Sequence, residues 1–365
     1  MQLLDSLSVQ LSNLSESLQV SLQDIIHNIE IKSQYCIQHP DYKALELPET
    51  SVSRFQKLSS DLQDKYLSQQ LRSFLYGIYY NGSLKSILAS DAEISNLAVN
   101  QNLENNTFLG VDLAFYERLH ENNRGNGYWS YDWRVVKEEA DGALAVYRDG
   151  LTLYVERDAL QLPATTGELV AIKMPKNLVQ NGFYMAVANA GASPRNQTQD
   201  QTLVRVYFNV TPDGAVAVMD SLTRQLNALS VAFSFKALYN PSDYVRYDSA
   251  VLYFDKKEYE QVRPVLEGVY TQHQSHFQQQ VPLFTKPIAP GLAIAEEPNH
   301  RFSEHESFGT HRCQIVANGL LEAWQQGNDT PDARIASIIK HFAALNINLQ
   351  CPYLNPNSQD IYLPL

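Results

Sequence analysis

Residues 203–214 read LVRVYFNVTPDG, and this stretch decides the class of fold. Its first eight residues alternate between two kinds of side chain, which is typical of a β-strand with two different faces. Thr211-Pro212-Asp213 then provides an N-cap with proline at the first helical position, which predicts a helix to about Ser230. The apolar face of the strand, which we expect to be core, consists of Val204, Val206, Phe208 and Val210.

Further strands and helices are predicted on both sides of this stretch. Strand-like runs occupy 128–133, 143–147, 151–155, 169–174, 183–188, 231–238 and 250–254, and helices are predicted at 257–274, 306–326 and 331–345. Residues 1–100 instead carry apolar side chains at steps of three and four, which is typical of helices. This order predicts an α+β fold, with a helical N-terminal domain at 1–100 and a mixed α+β domain at 108–365. An Asn- and Ser-rich linker is predicted at 91–107.

Charge and cysteine content exclude several classes of protein. The net charge is −12, from 28 Lys and Arg against 40 Asp and Glu, which argues against a nucleic-acid partner. The three cysteines are far apart, so we expect no disulfide framework and a reducing compartment. No apolar run is long enough to span a bilayer, and residues 1–30 do not resemble a secretory signal. We therefore expect a cytoplasmic protein that has no membrane partner.

One short run imitates a kinase motif. Val170-Ala171-Ile172-Lys173 matches the lysine strand of protein kinases. A kinase also needs a glycine-rich loop, a catalytic His-Arg-Asp and a metal-binding Asp-Phe-Gly. The sequence has none of these three motifs, and it has no cysteine or histidine spacing typical of a metal site. It therefore predicts neither a kinase nor a metalloprotein.

The second face of the strand at 203–210 carries a guanidinium, a phenol and an amide in a row, from Arg205, Tyr207 and Asn209. Arginine binds phosphate through parallel hydrogen bonds, so this face is a candidate anion site. Taken alone, the alternation favours an ordinary solvated sheet face.

Other segments add candidate anion ligands. Lys236 ends a hydrophobic strand, Arg246 precedes another, and Lys286 stands in an apolar segment bounded by proline. A lysine among apolar neighbours either extends its amine to solvent or is held there by an anion. His311 and Arg312 lie near the start of a predicted helix, whose positive end attracts anions. An ordinary surface position is the more frequent alternative for these two residues.

Several blocks, taken in order, resemble the HopA-type type III secretion effector family over roughly residues 125–325. The blocks are GFYMA at 182–186, RVYFNVTPDG at 205–214, RYDSAVLY at 246–253, TKPIAPGLA at 285–293 and ESFGTHRC at 306–313. In plant pathogens, members of this family are injected proteins that host immunity senses. In other bacteria they accompany kinase-like proteins in clusters that make class V lanthipeptides and thioamide peptides, where they resemble lyases that act on phosphoserine or phosphothreonine.

The resemblance implies a fold distantly similar to phosphothreonine lyases, a phosphorylated peptide as substrate and a kinase-like partner. β-Elimination needs a base, an acid and cations for the leaving phosphate, and it requires no metal or organic cofactor. On this reading the base is Lys173 or Lys286, and the proton donor is Tyr207 or His311. The candidate phosphate or substrate ligands are Arg205, Asn209, Lys236, Arg246 and Arg312.

The sequence departs from the phosphothreonine lyases at two positions. Those enzymes carry a lysine and then, two residues later, a histidine on one strand, whereas Lys173 is followed by Met174 and Pro175. Their base lysine precedes Val-Thr, where this chain has Asn209. Either catalysis has moved to another lysine such as Lys286, or the protein is a non-catalytic effector-like protein that binds a phosphopeptide or a partner protein.

Overall fold

The structure is a computed structural model that describes residues 14–89, 110–192, 201–304 and 306–365. It contains helices together with antiparallel sheets, so the predicted α+β class is confirmed. The predicted linker at 91–107 and the first thirteen residues lie outside the described residues. Within the described part of the chain, no helix is both long and apolar enough to cross a membrane.

The bounds of the elements are as follows. The helices are α1 (Glu16–Asn28), α2 (Glu49–Phe55), α3 (Ser60–Leu75), α4 (Lys85–Leu88), α5 (Leu113–Asn122), α6 (Pro212–Ala228), α7 (Tyr259–His273), α8 (Phe308–Gln325) and α9 (Pro331–Ala344). The strands are β1 (Glu30–Ser33), β2 (Cys36–His39), β3 (Tyr42–Glu46), β4 (Tyr128–Glu138), β5 (Leu144–Arg148), β6 (Leu151–Val155), β7 (Leu169–Met174), β8 (Asn177–Gln180), β9 (Phe183–Val187), β10 (Leu203–Phe208), β11 (Phe233–Leu238), β12 (Ala250–Asp255), β13 (Lys286–Ala289) and β14 (Leu292–Glu296). A π-helical turn, Tyr76–Tyr80, continues α3.

A seven-stranded antiparallel sheet organises the C-terminal part of the chain, in the order β13-β14-β10-β12-β11-β9-β8. The strand predicted at 203–210 is β10, near the centre of this sheet. The hydroxyl of Thr211 accepts from the backbone N–H of Gly214 at 3.1 Å, which caps α6 as predicted. Val206 and Phe208 lie in one hydrophobic cluster with the apolar residues of α6. The predicted strand, cap and helix are therefore confirmed.

The other face of β10 is covered rather than solvated. The Tyr207 ring contacts the rings of Tyr80, from the π-helical turn, and Phe308, at the start of α8, with centroid distances of 6.4 and 6.3 Å. Tyr207 and Asn209 are each 1% exposed. The interpretation as an ordinary solvated sheet face is therefore wrong, because helices pack on both faces of the sheet.

The N-terminal segment contains strands as well as helices. The predicted helical pattern is present in α1, α2 and α3, but β1, β2 and β3 form a three-stranded sheet after α1, where only helices were predicted. Leu22 and Leu71 belong to the same hydrophobic cluster as Val206. The segment at 16–88 therefore shares its core with the C-terminal part, and the division at residues 100 and 108 stays a prediction.

A second, separate sheet has the order β6-β5-β4-β7. Its apolar face forms its own small cluster, which includes Trp133, Val146 and Ile172. This sheet therefore stands outside the main core.

A close approach of α8 and α9 depends on Gly319. A Cβ at this position would lie 2.7 Å from the Cα and 2.8 Å from the backbone nitrogen of Ile338. We expect Gly319→Ala to lower the free energy of unfolding by about 1–3 kcal/mol in urea denaturation, because the helices must move apart. Gly268→Ala in α7 is the matched control, since the nearest atom is 3.9 Å away. A Gly319 variant as stable as the wild type contradicts this account.

Candidate functional site

Four strands of the seven-stranded sheet bring three predicted phosphate ligands into one row. Arg205 on β10 lies opposite Tyr253 on β12, and its guanidinium carbon is 5.0 Å from the centre of that ring. The Nζ of Lys236 on β11 is 5.6 Å from the same ring and 4.2 Å from the Phe183 ring on β9. The Arg246 guanidinium carbon, before β12, is 5.8 Å from the Phe183 ring. We call these five residues the cationic row.

A buried carboxylate holds the first arginine of the cationic row. The Nε of Arg205 donates to Glu297, which is 3% exposed. The Nη2 of Arg301 donates to the other oxygen of Glu297 at 2.7 Å. Burial opposes the charge on Arg205, but Glu297 outweighs burial and raises the pKa of the guanidinium. Arg205 is therefore a fixed cation whose Nε is engaged by Glu297.

A second buried ion pair holds Arg246. Its Nε and Nη2 donate to the two oxygens of Asp248 at 2.6 and 2.8 Å. Burial opposes the charge on Asp248, but Arg246 and, more weakly, Lys236 outweigh burial and lower the pKa of the carboxyl group. The hydroxyl of Tyr76 is 3.4 Å from the same carboxylate. Both arginines of the cationic row are thus positioned by carboxylates.

Lys236 differs from its two neighbours in the cationic row. It is half-buried between the rings of Phe183 and Tyr253, whose faces attract a cation. Among residues 14–89, 110–192, 201–304 and 306–365, no carboxylate lies within ion-pair distance of its amine. The amine of Lys236 is therefore available to a group of the substrate.

A cavity of about 260 Å³ lies at one end of the cationic row. Phe183 and Arg246 line it, together with Ser83, Ser242 and Asp243. Burial raises the pKa of Asp243. The cavity is slightly smaller than the range of about 300–1,000 Å³ that is typical of small-ligand pockets.

The predicted proton donors lie in the interior. Burial raises the pKa of Tyr207, so its phenol is protonated at neutral pH, but the rings of Tyr80 and Phe308 pack against it. Burial, followed by the charge of Arg312, lowers the pKa of His311 to about 3, so this imidazole is neutral. The geometry therefore favours neither residue as the acid for a leaving phosphate.

The buried His311 makes stability depend on pH. The unfolded histidine, with a pKa near 6.5, takes up a proton below that pH, whereas the folded one does not until about pH 3. The free energy of unfolding therefore falls as the pH falls through this window, and at pH 5 it is about 2 kcal/mol lower than at pH 7. We expect urea unfolding at pH 7 and pH 5 to show this loss in the wild type and to show less of it in His311→Asn. An equal pH dependence in both proteins contradicts the assignment.

Arg312 is buried and fully engaged by the protein. Its Nε and Nη2 donate to the carbonyl oxygens of Pro352 and Leu354 at 2.7 and 3.1 Å, and its Nη1 lies 2.7 Å from the Nδ1 of His311. The residue is 1% exposed. Its predicted role as a phosphate ligand is not supported, because the guanidinium instead holds the turn after α9. The amide of Asn209 likewise donates to the carbonyl of Gln280 at 2.9 Å.

Lys286 projects from the opposite side of the sheet to Arg205. Lys286 on β13 pairs with Ile294 on β14, and Ile294 pairs with Val206 on β10. Directly paired residues share a face of the sheet, so Lys286 lies on the face of Val206, whereas Arg205, the neighbour of Val206, lies on the other face. Its Nζ is 2.6 Å from the Oδ2 of Asp360. The amine of Lys286 is therefore engaged by a carboxylate and lies away from the cationic row.

Lys173 lies on β7 of the separate four-stranded sheet. Its Nζ donates to the carbonyl of Gly127 at 3.0 Å and is 5.2 Å from the centre of the Trp129 ring. Neither predicted base therefore belongs to the cationic row.

Sequence reasoning missed the partners of the cations. Tyr253 and Phe183 separate and align the three cations, and Glu297 and Asp248 fix two of them. Asp248 was visible two residues after Arg246. The role of Tyr253 depends on the register between β10 and β12, which no local pattern reveals.

Residues 174–354 match the HopA1 effector protein family. The resemblance predicted from the sequence is thereby confirmed, although the match starts and ends later than the predicted 125–325. Over this region, which contains the whole cationic row, the chain is similar to the HopA1 effector family. Lys173 lies immediately before the HopA1 region, and most of the four-stranded sheet lies outside it.

Two solved structures are similar to this chain. One is the effector protein from Pseudomonas syringae pv. tomato strain DC3000, with 15% identity, 85% of this chain and 98% of that chain covered, and a TM-score of 0.43. The other is the effector protein from Pseudomonas syringae pv. syringae strain 61, with 14% identity, 85% and 94% covered, and a TM-score of 0.41. A comparison with curated proteins found no match.

Proposed function

We propose that this HopA1-type protein is a lyase that eliminates phosphate from phosphoserine or phosphothreonine in a peptide. The observation that supports the proposal is the cationic row, in which two fixed guanidinium groups flank an amine that has no carboxylate partner among the described residues. Guanidinium N–H groups match phosphate oxygens, so Arg205 and Arg246 suit the two charges of a phosphoryl group. A kinase-like partner supplies the phosphorylated peptide.

The reaction is a β-elimination. A base removes the proton from Cα, and the electron pair of that C–H bond forms the double bond between Cα and Cβ. The bond from Cβ to the phosphate oxygen breaks, and the leaving phosphate takes a proton from an acid. The products are a dehydroamino acid in the peptide and inorganic phosphate, and no other reactant is consumed.

The cationic row suggests the roles of its members. Lys236 is the proposed base, in place of Lys173 and Lys286, because no carboxylate in the described part of the chain holds its amine. Tyr253 is the proposed proton donor, since its ring lies between Lys236 and Arg205. The arginines neutralise the charge that develops on the leaving phosphate, which is usually the largest catalytic contribution.

Mass spectrometry tests the proposal. The full chain is incubated with a phosphothreonine peptide, and the expected product is lighter by one molecule of phosphoric acid. The same peptide without phosphate is the control, and a thiol added afterwards should form an adduct with the dehydroamino acid. A product lighter only by the phosphoryl group would indicate hydrolysis and would contradict elimination. A cognate peptide that loses no mass would also contradict elimination.

The two ion pairs favour a second candidate function. Arg205 and Arg246 already contact Glu297 and Asp248, and such a site also suits binding of a phosphopeptide without turnover. This candidate predicts phosphopeptide binding that Arg205→Ala weakens, with no loss of phosphate from the peptide.

A further inference from the structure

A second cavity lies outside the cationic row. It measures about 850 Å³ and lies between the start of α1, the segment at 279–290 and the turn at 350–353. A cavity of this volume is larger than a phosphate needs and can hold several residues of an extended peptide. We call it the long cleft.

The charge of the long cleft is opposite to that of the protein. Its described lining includes Lys85 and Lys286 and no aspartate or glutamate, although the chain has a net charge of −12. Asp360, just outside the lining, pairs with Lys286. Lys85 is exposed, lies 5.8 Å from the centre of the Tyr247 ring and forms no ion pair with a described carboxylate. The uncompensated charge of the cleft is therefore that of Lys85.

The long cleft also offers groups that bind a peptide backbone. Gln279, Gln280 and Gln350 line it, and a glutamine side chain carries both an amide donor and an amide acceptor. Leu283 and Phe284 add apolar surface. This combination suits a polypeptide better than a compact anion, because amides pair with amides along an extended chain.

The long cleft and the cavity beside the cationic row are lined by residues that are neighbours in the chain. Lys85 and Tyr247 line the long cleft, whereas their neighbours Ser86 and Arg246 line the smaller cavity. The two cavities are therefore neighbours, and a peptide that occupies one of them can extend toward the other.

We propose that the long cleft binds an acidic segment of the peptide substrate, several residues away from the phosphorylated residue. Lys85 contacts a carboxylate of that segment, and the glutamine side chains pair with its backbone. The assignment of this peptide as the substrate rests on the proposed lyase function, whereas the binding of an acidic peptide does not.

Fluorescence anisotropy tests the binding directly. The probe is a labelled ten-residue peptide of alternating Glu and Ala, compared with the same peptide carrying Gln for Glu. We expect the Glu peptide to bind the full chain at least about tenfold more tightly, and Lys85→Glu to remove that difference. Lys257→Glu makes the same charge change at an exposed lysine that lines neither cavity, and it should leave binding unchanged.

Three outcomes overturn the proposal: equal affinity for the Glu and Gln peptides, no effect of Lys85→Glu, or equally tight binding of single-stranded DNA, which would indicate a general anion site. With phosphothreonine peptides, a Glu flank should lower KM by about tenfold relative to a Gln flank. If neither peptide is turned over, the lyase function fails, while the anisotropy result still decides the role of the long cleft.

Discussion

Replacing Lys236 with alanine is expected to lower kcat on a phosphothreonine peptide by between about 10²- and 10⁴-fold, the range for loss of a general base. The reason is that the other two cations of the row are arginines held by carboxylates, so no second amine in the row can take the Cα proton. The measurement is the release of inorganic phosphate under saturating peptide. Lys257→Ala, at an exposed lysine outside the row, is the control.

Lys236→Arg separates the two roles that Lys236 can have. Arginine keeps the positive charge but stays protonated, so it can hold a phosphate and cannot act as a base. We expect this variant to bind the phosphopeptide but not to eliminate phosphate from it. Turnover close to that of the wild type would show that Lys236 is a phosphate ligand and that the base lies elsewhere.

The second large effect is on stability. Asp248→Ala leaves the buried Arg246 without its carboxylate, and removal of one partner from a buried ion pair costs about 3–5 kcal/mol. We expect urea unfolding to show a loss of this size. Glu138→Ala removes an exposed partner of Arg157 and should cost less than about 1 kcal/mol.

A double variant and a pH series test the same ion pair. Arg246→Met with Asp248→Leu removes both charges and should be more stable than Asp248→Ala alone. The pKa of Asp248 is lower in the folded protein than in the unfolded chain. Its contribution to the free energy of unfolding is therefore present above the unfolded pKa, near 3.9, and is lost as the pH falls through the lower folded pKa. An Asp248→Ala variant as stable as the wild type would contradict this account of the ion pair.

Local sequence signals predicted many of the elements but missed others, including α5, β8, β13 and β14. The alternation at 203–210 and the cap at Thr211 act through neighbouring residues only, so β10 and α6 follow directly from them. The strands β1, β2 and β3 are four or five residues long, which is too short for a clear alternation. They therefore went undetected beside the strong helical pattern of α1.

The candidate site could be predicted only in part. The sequence singled out Arg205, Lys236 and Arg246 as candidate phosphate ligands, and the register of the antiparallel strands brings them together. That register depends on long-range pairing, so the sequence could not reveal that Lys286 points away from them. Nor could it show that α8 is buried on almost every side, which turns Arg312 into an interior residue.

Phosphorus-31 NMR on a phosphothreonine peptide mixed with the full chain tests the central claim most directly, because it reports on both binding to the cationic row and elimination. The account predicts that the phosphothreonine signal shifts on binding and is replaced by that of inorganic phosphate, while proton spectra gain the vinyl signal of a dehydroamino acid. With Lys236→Ala, the shift should remain and the conversion should stop. A phosphothreonine signal that neither shifts nor converts with the cognate peptide would contradict a phosphate site at Arg205, Lys236 and Arg246.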